Sequence, residues 1–159
     1  MHDLTGLPPF QEVLDRHRGD VHGFLAATVG PDDADDCFQE TFIAALRAYP
    51  RLREGSNLRA WLLTIAHRKA IDHHRAARRR PVPLAELPES ATTDSSRDGL
   101  DPIWHAVATL PPKQRAAVAL RYAADLAHRE IGEAIGCSEE AARRSVHEGI
   151  KRLREELAP

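Results

Sequence analysis

The chain has 159 residues, 42% of them hydrophobic and 29% charged, with a net charge of -2. That length and balance fit one medium globular domain or two small ones, each with a thin core. No apolar run approaches a membrane span, and Cys37 and Cys137 stand far apart with no C-x-x-C spacing, which argues against a disulfide framework and a cysteine metal site.

The near-neutral total hides strong segregation. Residues 51–80 carry nine Arg or Lys against Glu54 and Asp72, a local balance of +7, whereas residues 32–40 carry five acids and no Lys or Arg. Such polarity points to partners of opposite charge on different surfaces. The first ten residues lack the charged and apolar blocks of a signal peptide, so a reducing, cytoplasmic setting is the default expectation.

In chain order, almost every periodic stretch reads as helix. Between Pro9 and Val29, Phe10, Val13, Leu14, Val21, Phe24 and Leu25 fall on one helical face, and Gly30-Pro31 ends that helix and starts the next. The second helix is predicted over Asp32–Tyr49. Its inner stripe is Ala34, Cys37, Phe38, Thr41, Phe42, Ala45, Leu46 and Tyr49, with Asp35, Asp36, Gln39, Glu40 and Ile43 on the other side. A loop over residues 50–56 leads to Asn57, a candidate N-cap for a third helix over Leu58–Arg79. That helix has Leu58, Trp61, Leu62, Ile65 and Ala66 as its stripe and a basic second half: Arg68, Lys69, Arg75, Arg78, Arg79 and Arg80. Aromatics can stack on unpaired bases, but Trp61 shares the stripe of Leu58 and Ile65, so core packing is the expectation.

Residues 81–100 hold three prolines, several Ser and Thr, and mostly acidic charge without a sustained period, the texture of a flexible linker. Four helices are predicted beyond it: Asp101–Thr109, Lys113–Ala124, Ala127–Ile135 and Ser138–Glu156. The last two carry the strongest local pattern. Ile131, Ala134 and Ile135 face inward, Gly136-Cys137-Ser138 makes a turn, and Ala141, Ala142, Val146, Ile150 and Leu153 face inward again. This is the pattern of a helix-turn-helix. Arg143, Arg144 and His147 face away from the apolar stripe, where they can reach base edges and phosphates, and Lys151 follows. An antiparallel helical hairpin with a solvated charged face would show the same pattern.

These motifs together resemble a known family. Residues 33–42, DADDCFQETF, are similar to the acidic helix of sigma-factor region 2, close to D-A-E-D-x-x-Q-E-x-F. Residues 57–66, NLRAWLLTIA, resemble its R-A-W-L-x-x-I-A stretch, and residues 70–75, AIDHHR, its A-x-D-x-x-R. Residues 110–115, LPPKQR, look like the L-P-x-x-x-R opening of region 4, and residues 130–136, EIGEAIG, like its E-I-A-x-x-L-G. Order, spacing and joint presence make the likeness one to the extracytoplasmic-function (ECF) type of bacterial RNA polymerase sigma factor. There are departures. Where the family often has G-T-V-K-S-R, residues 140–145 read EAARRS, and a frequent basic position further on is Glu148.

The resemblance implies an all-α protein of two small helical domains joined by a linker. Residues 1–80 would be region 2, binding core polymerase and the −10 promoter element, and residues 101–159 would be region 4, binding the −35 element. Asp35, Asp36, Gln39 and Glu40 would dock on the polymerase clamp helices. Arg68, Lys69, Arg75, Arg78 and Arg79 would hold promoter phosphates, Asn57 would help a loop capture a flipped base, and Arg143, Arg144, His147 and Lys151 would read the upstream element. Partners would be core RNA polymerase, promoter DNA and, as in many of the family, an anti-sigma factor. Neither cofactor, metal, catalysis nor membrane insertion is expected. Two other readings stand beside this one. A helix-turn-helix regulator acting without polymerase would need a dimer for two half-sites, and no coiled-coil seam is evident. A metal enzyme would draw on the nine histidines, yet His67 and His74, one face of a helix, and His73 beside Asp72 supply no H-E-x-x-H motif.

Overall fold

A computed structural model describes residues 6–79 and 102–159. Arg80, the linker expected over 81–100 and the helix start expected at Asp101 lie outside the described residues.

The first module is three helices. α1 (Phe10–Val29) ends at Gly30, whose N–H bonds the Ala26 carbonyl at 3.2 Å. Pro31 then opens α2 (Pro31–Ala48), where a missing N–H costs nothing. A 3-10 turn over Tyr49–Arg51 and a short loop lead to α3 (Leu58–Arg79). Asn57 caps α3 as its position predicts: Oδ1 accepts the Ala60 N–H at 3.1 Å. Val13, Val21, Phe24 and Leu25 of α1 meet Ala34, Cys37, Thr41, Phe42 and Ala45 of α2 in a closed core. The buried Thr28 and Thr41 hydroxyls donate to the carbonyls four residues back, at 3.0 and 2.7 Å, so neither is left unpaired. Phe10 lies edge-on to Tyr49 with centroids 5.3 Å apart, and Tyr49 continues to Trp61 at 6.2 Å. Trp61 is therefore half-buried packing, as the stripe predicts.

One residue of the predicted α2 stripe is misplaced. Leu46 is 55% exposed. Ala34, Cys37, Thr41, Ala45 and Tyr49 form the buried row, and Leu46 falls one residue round the helix from it, about 100° away. α3 also buries more than its predicted stripe. Ala60, Leu63 and Ala70 are buried as well. At about 100° per residue they share a second face with His67 and His74, away from the Leu58 and Ile65 side.

The second module is α4 (Pro102–Val107), α5 (Pro112–Tyr122), α6 (His128–Ile135) and α7 (Glu139–Leu157). α4 stops at Val107 rather than Thr109, in a turn where Leu110 N–H bonds the Val107 carbonyl. α5 stops at Tyr122 rather than Ala124, because Asp125 turns left-handed at φ 57°, a conformation Asp tolerates, and Leu126 N–H then closes on the Leu120 carbonyl. Gly136, at φ 78°, makes the turn from α6 to α7, where a Cβ would be strained. Ser138 caps α7 by accepting the Ala141 N–H at 3.1 Å. Behind the exposed face of α7, Gly149 lies so close to α5 that a Cβ there would meet Val118 Cγ2 at 2.6 Å.

The two modules share a core, and the second also keeps a smaller cluster of its own, Val107, Leu110, Val118 and Leu153. The shared cluster runs from Phe24, Leu62, Leu63 and Ala66 to Ala117, Leu120, Leu126 and Ile131. The second face of α3 takes part in this: His67 lies 6.4 Å from the Phe24 ring of α1, and with Ala70 and His74 it lines a cleft shared by Thr28 of α1 and by Arg115 and Ala116 of α5. The seam also carries polar links. His74 Nε2 lies 3.0 Å from the Thr28 carbonyl, which also receives Arg115 Nη1 at 3.5 Å, so the C-terminal end of α1 takes donors from both modules.

Replacing Ile131 by Ala should cost about 2–5 kcal/mol, whereas Leu46→Ala should move stability by less than about 0.5 kcal/mol; urea unfolding of both variants checks the burial pattern. Burial, then Glu40, Asp33 and Asp36, push the Cys37 thiol up to about 11. At pH 8 iodoacetamide should therefore label Cys137, which is partly exposed, well before Cys37, and peptide mapping over time reads the order.

Candidate nucleic-acid interface

The structure places the expected residues on three surfaces. The first is the outer face of α2. Asp35, Asp36, Gln39 and Glu40 are all exposed there, brought together by the helical repeat because the opposite face is consumed by the core. Exposed Ile43, three residues beyond Glu40, gives the acidic face an apolar edge. Two histidines touch its N-terminal end. His22 Nε2 is 3.1 Å from Asp35 and His73 Nε2 is 3.2 Å from Asp33.

The second surface is α7. Its buried row is Ala142, Ser145, Val146, Gly149 and Leu153. That spacing turns Arg143, Arg144, His147 and Lys151 outward, and all four are exposed. Arg143 also reaches back to Glu139 at 3.4 Å, an exposed pair of small energetic weight. Arg143, His147 and Lys151 line a groove of about 460 Å³ together with Tyr122, His128 and Arg154. Tyr122 and His128 were not singled out from the sequence. They stand at the end of α5 and the start of α6, and only the turn at Asp125 swings them toward α7. Burial, then Arg121 and Arg143, hold the His128 imidazole below its ordinary range, so the groove already crowds positive charge.

The third surface is α3. Arg68, Arg75, Arg78 and Arg79 are exposed and Lys69 is half-buried. They form the basic C-terminal half of a helix whose dipole also favours cations there. Asn57 is placed differently from a residue waiting for a base. Its Oδ1 caps α3, and its Nδ2 donates to Glu130 Oε2 of α6. Glu130 in turn accepts the Ala127 N–H at 2.9 Å, so one carboxylate caps α6 and ties the two modules. Next to Asn57, Arg59 donates to the Asp125 carbonyl at 3.2 Å. A shallow groove lined by Arg16, His17, Asp20, Ser56, Asn57 and Arg59 runs along this edge.

Among the described residues no group of three or more His, Cys, Asp or Glu is arranged to hold a metal ion, and no helix is long and apolar enough to cross a membrane. The surfaces are a compact anionic helix face and two cationic helix faces, arrangements suited to binding a basic protein surface and nucleic acid.

Comparison with known proteins gives the same division. Family models of Sigma-70 region 2 and Sigma-70 region 4 match residues 13–80 and 100–153. The RNA polymerase sigma factor CarQ of Myxococcus xanthus is 32% identical over 158 residues, covering 93% of this chain and 88% of CarQ. The ECF RNA polymerase sigma factor SigD of Mycobacterium tuberculosis (strain ATCC 25618 / H37Rv) is 34% identical over 161 residues, covering 92% of this chain and 76% of SigD. Among solved structures, the fold is similar to the sigma factor RpoE in complex with the anti-sigma factor NepR from Bartonella quintana, with a TM-score of 0.76 at 22% identity over 94% of this chain and 98% of that one. It is also similar to CnrH in complex with the cytosolic domain of CnrY, with a TM-score of 0.72 at 21% identity over 93% of this chain and 86% of that one. With both sigma-70 regions matched in order and relatives above 30% identity along nearly its whole length, the chain belongs to the ECF RNA polymerase sigma factors and serves transcription initiation.

Proposed function

We propose that residues 1–80 dock on core RNA polymerase and bind the −10 element while residues 101–159 read the −35 element. The observation that carries this division of labour is the segregation of charge: the anionic face of α2 and the cationic face of α7 both project outward, on different helices of different modules. Asp35, Asp36, Gln39 and Glu40 make a patch of acceptors suited to Arg and Lys donors on the polymerase clamp, a contact that salt weakens. Arg143, Arg144 and His147 lie within the first three turns of α7, the part of a helix-turn-helix that enters the major groove, and Lys151 follows in the fourth. Arg68, Lys69, Arg75, Arg78 and Arg79 contribute phosphate contacts, and Asn57 acts on DNA once its bond to Glu130 is exchanged for one to a base. Tyr122 and His128 extend the α7 groove toward the backbone phosphates. Two modules held on one polymerase bind their DNA elements with the advantage of effective concentration, so neither need bind tightly alone.

On this reading the protein is a binding factor rather than an enzyme and works in the cytoplasm with the polymerase. An anti-sigma factor is a further partner, since a sigma factor of similar fold is found in complex with one. A regulator acting without polymerase is the weaker reading, because it leaves the exposed acidic face of α2 without a role.

Run-off transcription with core polymerase over a promoter library tests the whole reading, and failure of the chain to be captured by core enzyme and to confer promoter choice overturns it. Within it, Asp36→Asn with Glu40→Gln should lower capture by core polymerase and leave helicity unchanged, as read by pull-down and circular dichroism. Arg143→Ala or Arg144→Ala should weaken promoter binding by about 1–3 kcal/mol if it contacts a base edge, and by a similar factor on every sequence, with a salt slope lower by about one, if it contacts phosphate.

A further inference from the structure

The acidic face of α2 is braced from both neighbouring helices. Asp33 and Asp35 stand on either side of the buried Ala34, so at about 100° per residue they fall on opposite flanks of the helix. Asp36, Gln39 and Glu40 fill the outer arc between them. Each flank receives an imidazole. His22 of α1 brings Nε2 to 3.1 Å from Asp35 Oδ1, and His73 of α3 brings Nε2 to 3.2 Å from Asp33 Oδ2. A carboxylate only accepts, so Nε2 is the donor in both pairs.

The His22 ring is itself held. It stands edge-on to Phe38 of α2 with centroids 5.9 Å apart, and Phe38 packs on the buried Phe42 at 4.7 Å. The donor is thus tied to the core of the first module through two rings, while the carboxylate it grips is 79% exposed. A carboxylate offers about four acceptor sites, so one bond to His22 leaves the others for a partner. An exposed pair of this kind adds little to stability. Its effect is on freedom: a side chain already held in place need not be ordered when a partner arrives.

We infer that His22 is a positioning residue for polymerase docking: its Nε2 fixes the Asp35 carboxylate, which then meets a basic group of the polymerase already ordered. The inference rests on the reading of Asp35, Asp36, Gln39 and Glu40 as the docking face. It adds a residue from a different helix, which acts through Asp35 alone. His73 braces the other flank in the same way, but through Asp33, which lies outside that set of four.

The test is titration of core polymerase with the full chain, with circular dichroism and thermal unfolding on each variant. His22→Phe keeps a ring beside Phe38 and removes the donor. It is expected to weaken capture about twofold to tenfold, the cost of ordering one side chain at an interface, with helicity and Tm kept. His22→Leu, a second variant without the donor, is expected to weaken capture in the same way. His22→Gln, whose amide can donate to Asp35, is expected to restore most of the capture. In an Asp35→Ala background, His22→Phe is expected to change nothing further, because the group it acts through is gone. The inference falls if both donor-free variants leave capture unchanged or strengthen it, or if His22→Gln is no better than they are. It falls equally if His22→Phe costs as much without the Asp35 carboxylate as with it. Asp36→Asn with Glu40→Gln judges the docking reading separately. Loss of capture there, with none in His22→Phe and His22→Leu, overturns this inference alone; no loss in any of them overturns both.

Discussion

The whole arrangement depends on α3 being covered on two sides. Its Leu58 and Ile65 side closes the first module, while Ala60, Leu63 and Ala70 meet the surroundings from another angle. Small domains bury a modest fraction of their surface and are marginal alone. By sharing α3, the two modules join most of their buried apolar residues in one cluster, beside a smaller one of Val107, Leu110, Val118 and Leu153 in the second module. The C-terminal carbonyls of α1, which need donors from outside the helix, receive them from His74 on one module and Arg115 on the other. Packing and polar satisfaction thus both favour the joined state, and any function that separates the modules works against both.

Charge is arranged around that core with a consistent logic. Acids begin α2 and cations end α3, each at the helix end whose dipole favours it. The same placement leaves an anionic face and a cationic face pointing to solvent on neighbouring helices. At physiological salt such surfaces interact over roughly 8 Å, so they steer partners at short range rather than attract them from afar. The net charge of -2 is the residue of this separation and says little about either surface.

Most of the helices could be read directly from the chain, because their apolar positions recur every three or four residues and their ends carry recognisable residues: Gly30-Pro31, Asn57, Gly136, Ser138. The exposed acids of α2 and the outward Arg143, Arg144 and His147 were legible for the same reason, since the face opposite a buried row must look outward. What could not be read was tertiary. Leu63 and Ala70 lie off the main stripe of α3, on a face that meets α1 and α5 together, so their burial depends on contacts no single helix announces. Asn57 is a sound N-cap by sequence, but its bond to Glu130 spans 73 positions and leaves no local trace. Tyr122 and His128 join the α7 groove through a left-handed Asp125, which no periodicity announces.

Gly149 carries a consequence of a different kind. The approach of α7 to α5 is so close there that even a methyl group would press on Val118. The roll of α7 about its own axis is consequently dictated from behind, by a hidden contact with no chemistry of its own. Where each arginine points is decided at that hidden pivot as much as by the arginines themselves. On the reading proposed for α7, promoter preference can thus drift through substitutions that never approach a nucleotide, with the spacing between two helices acting as a silent determinant of which bases are read.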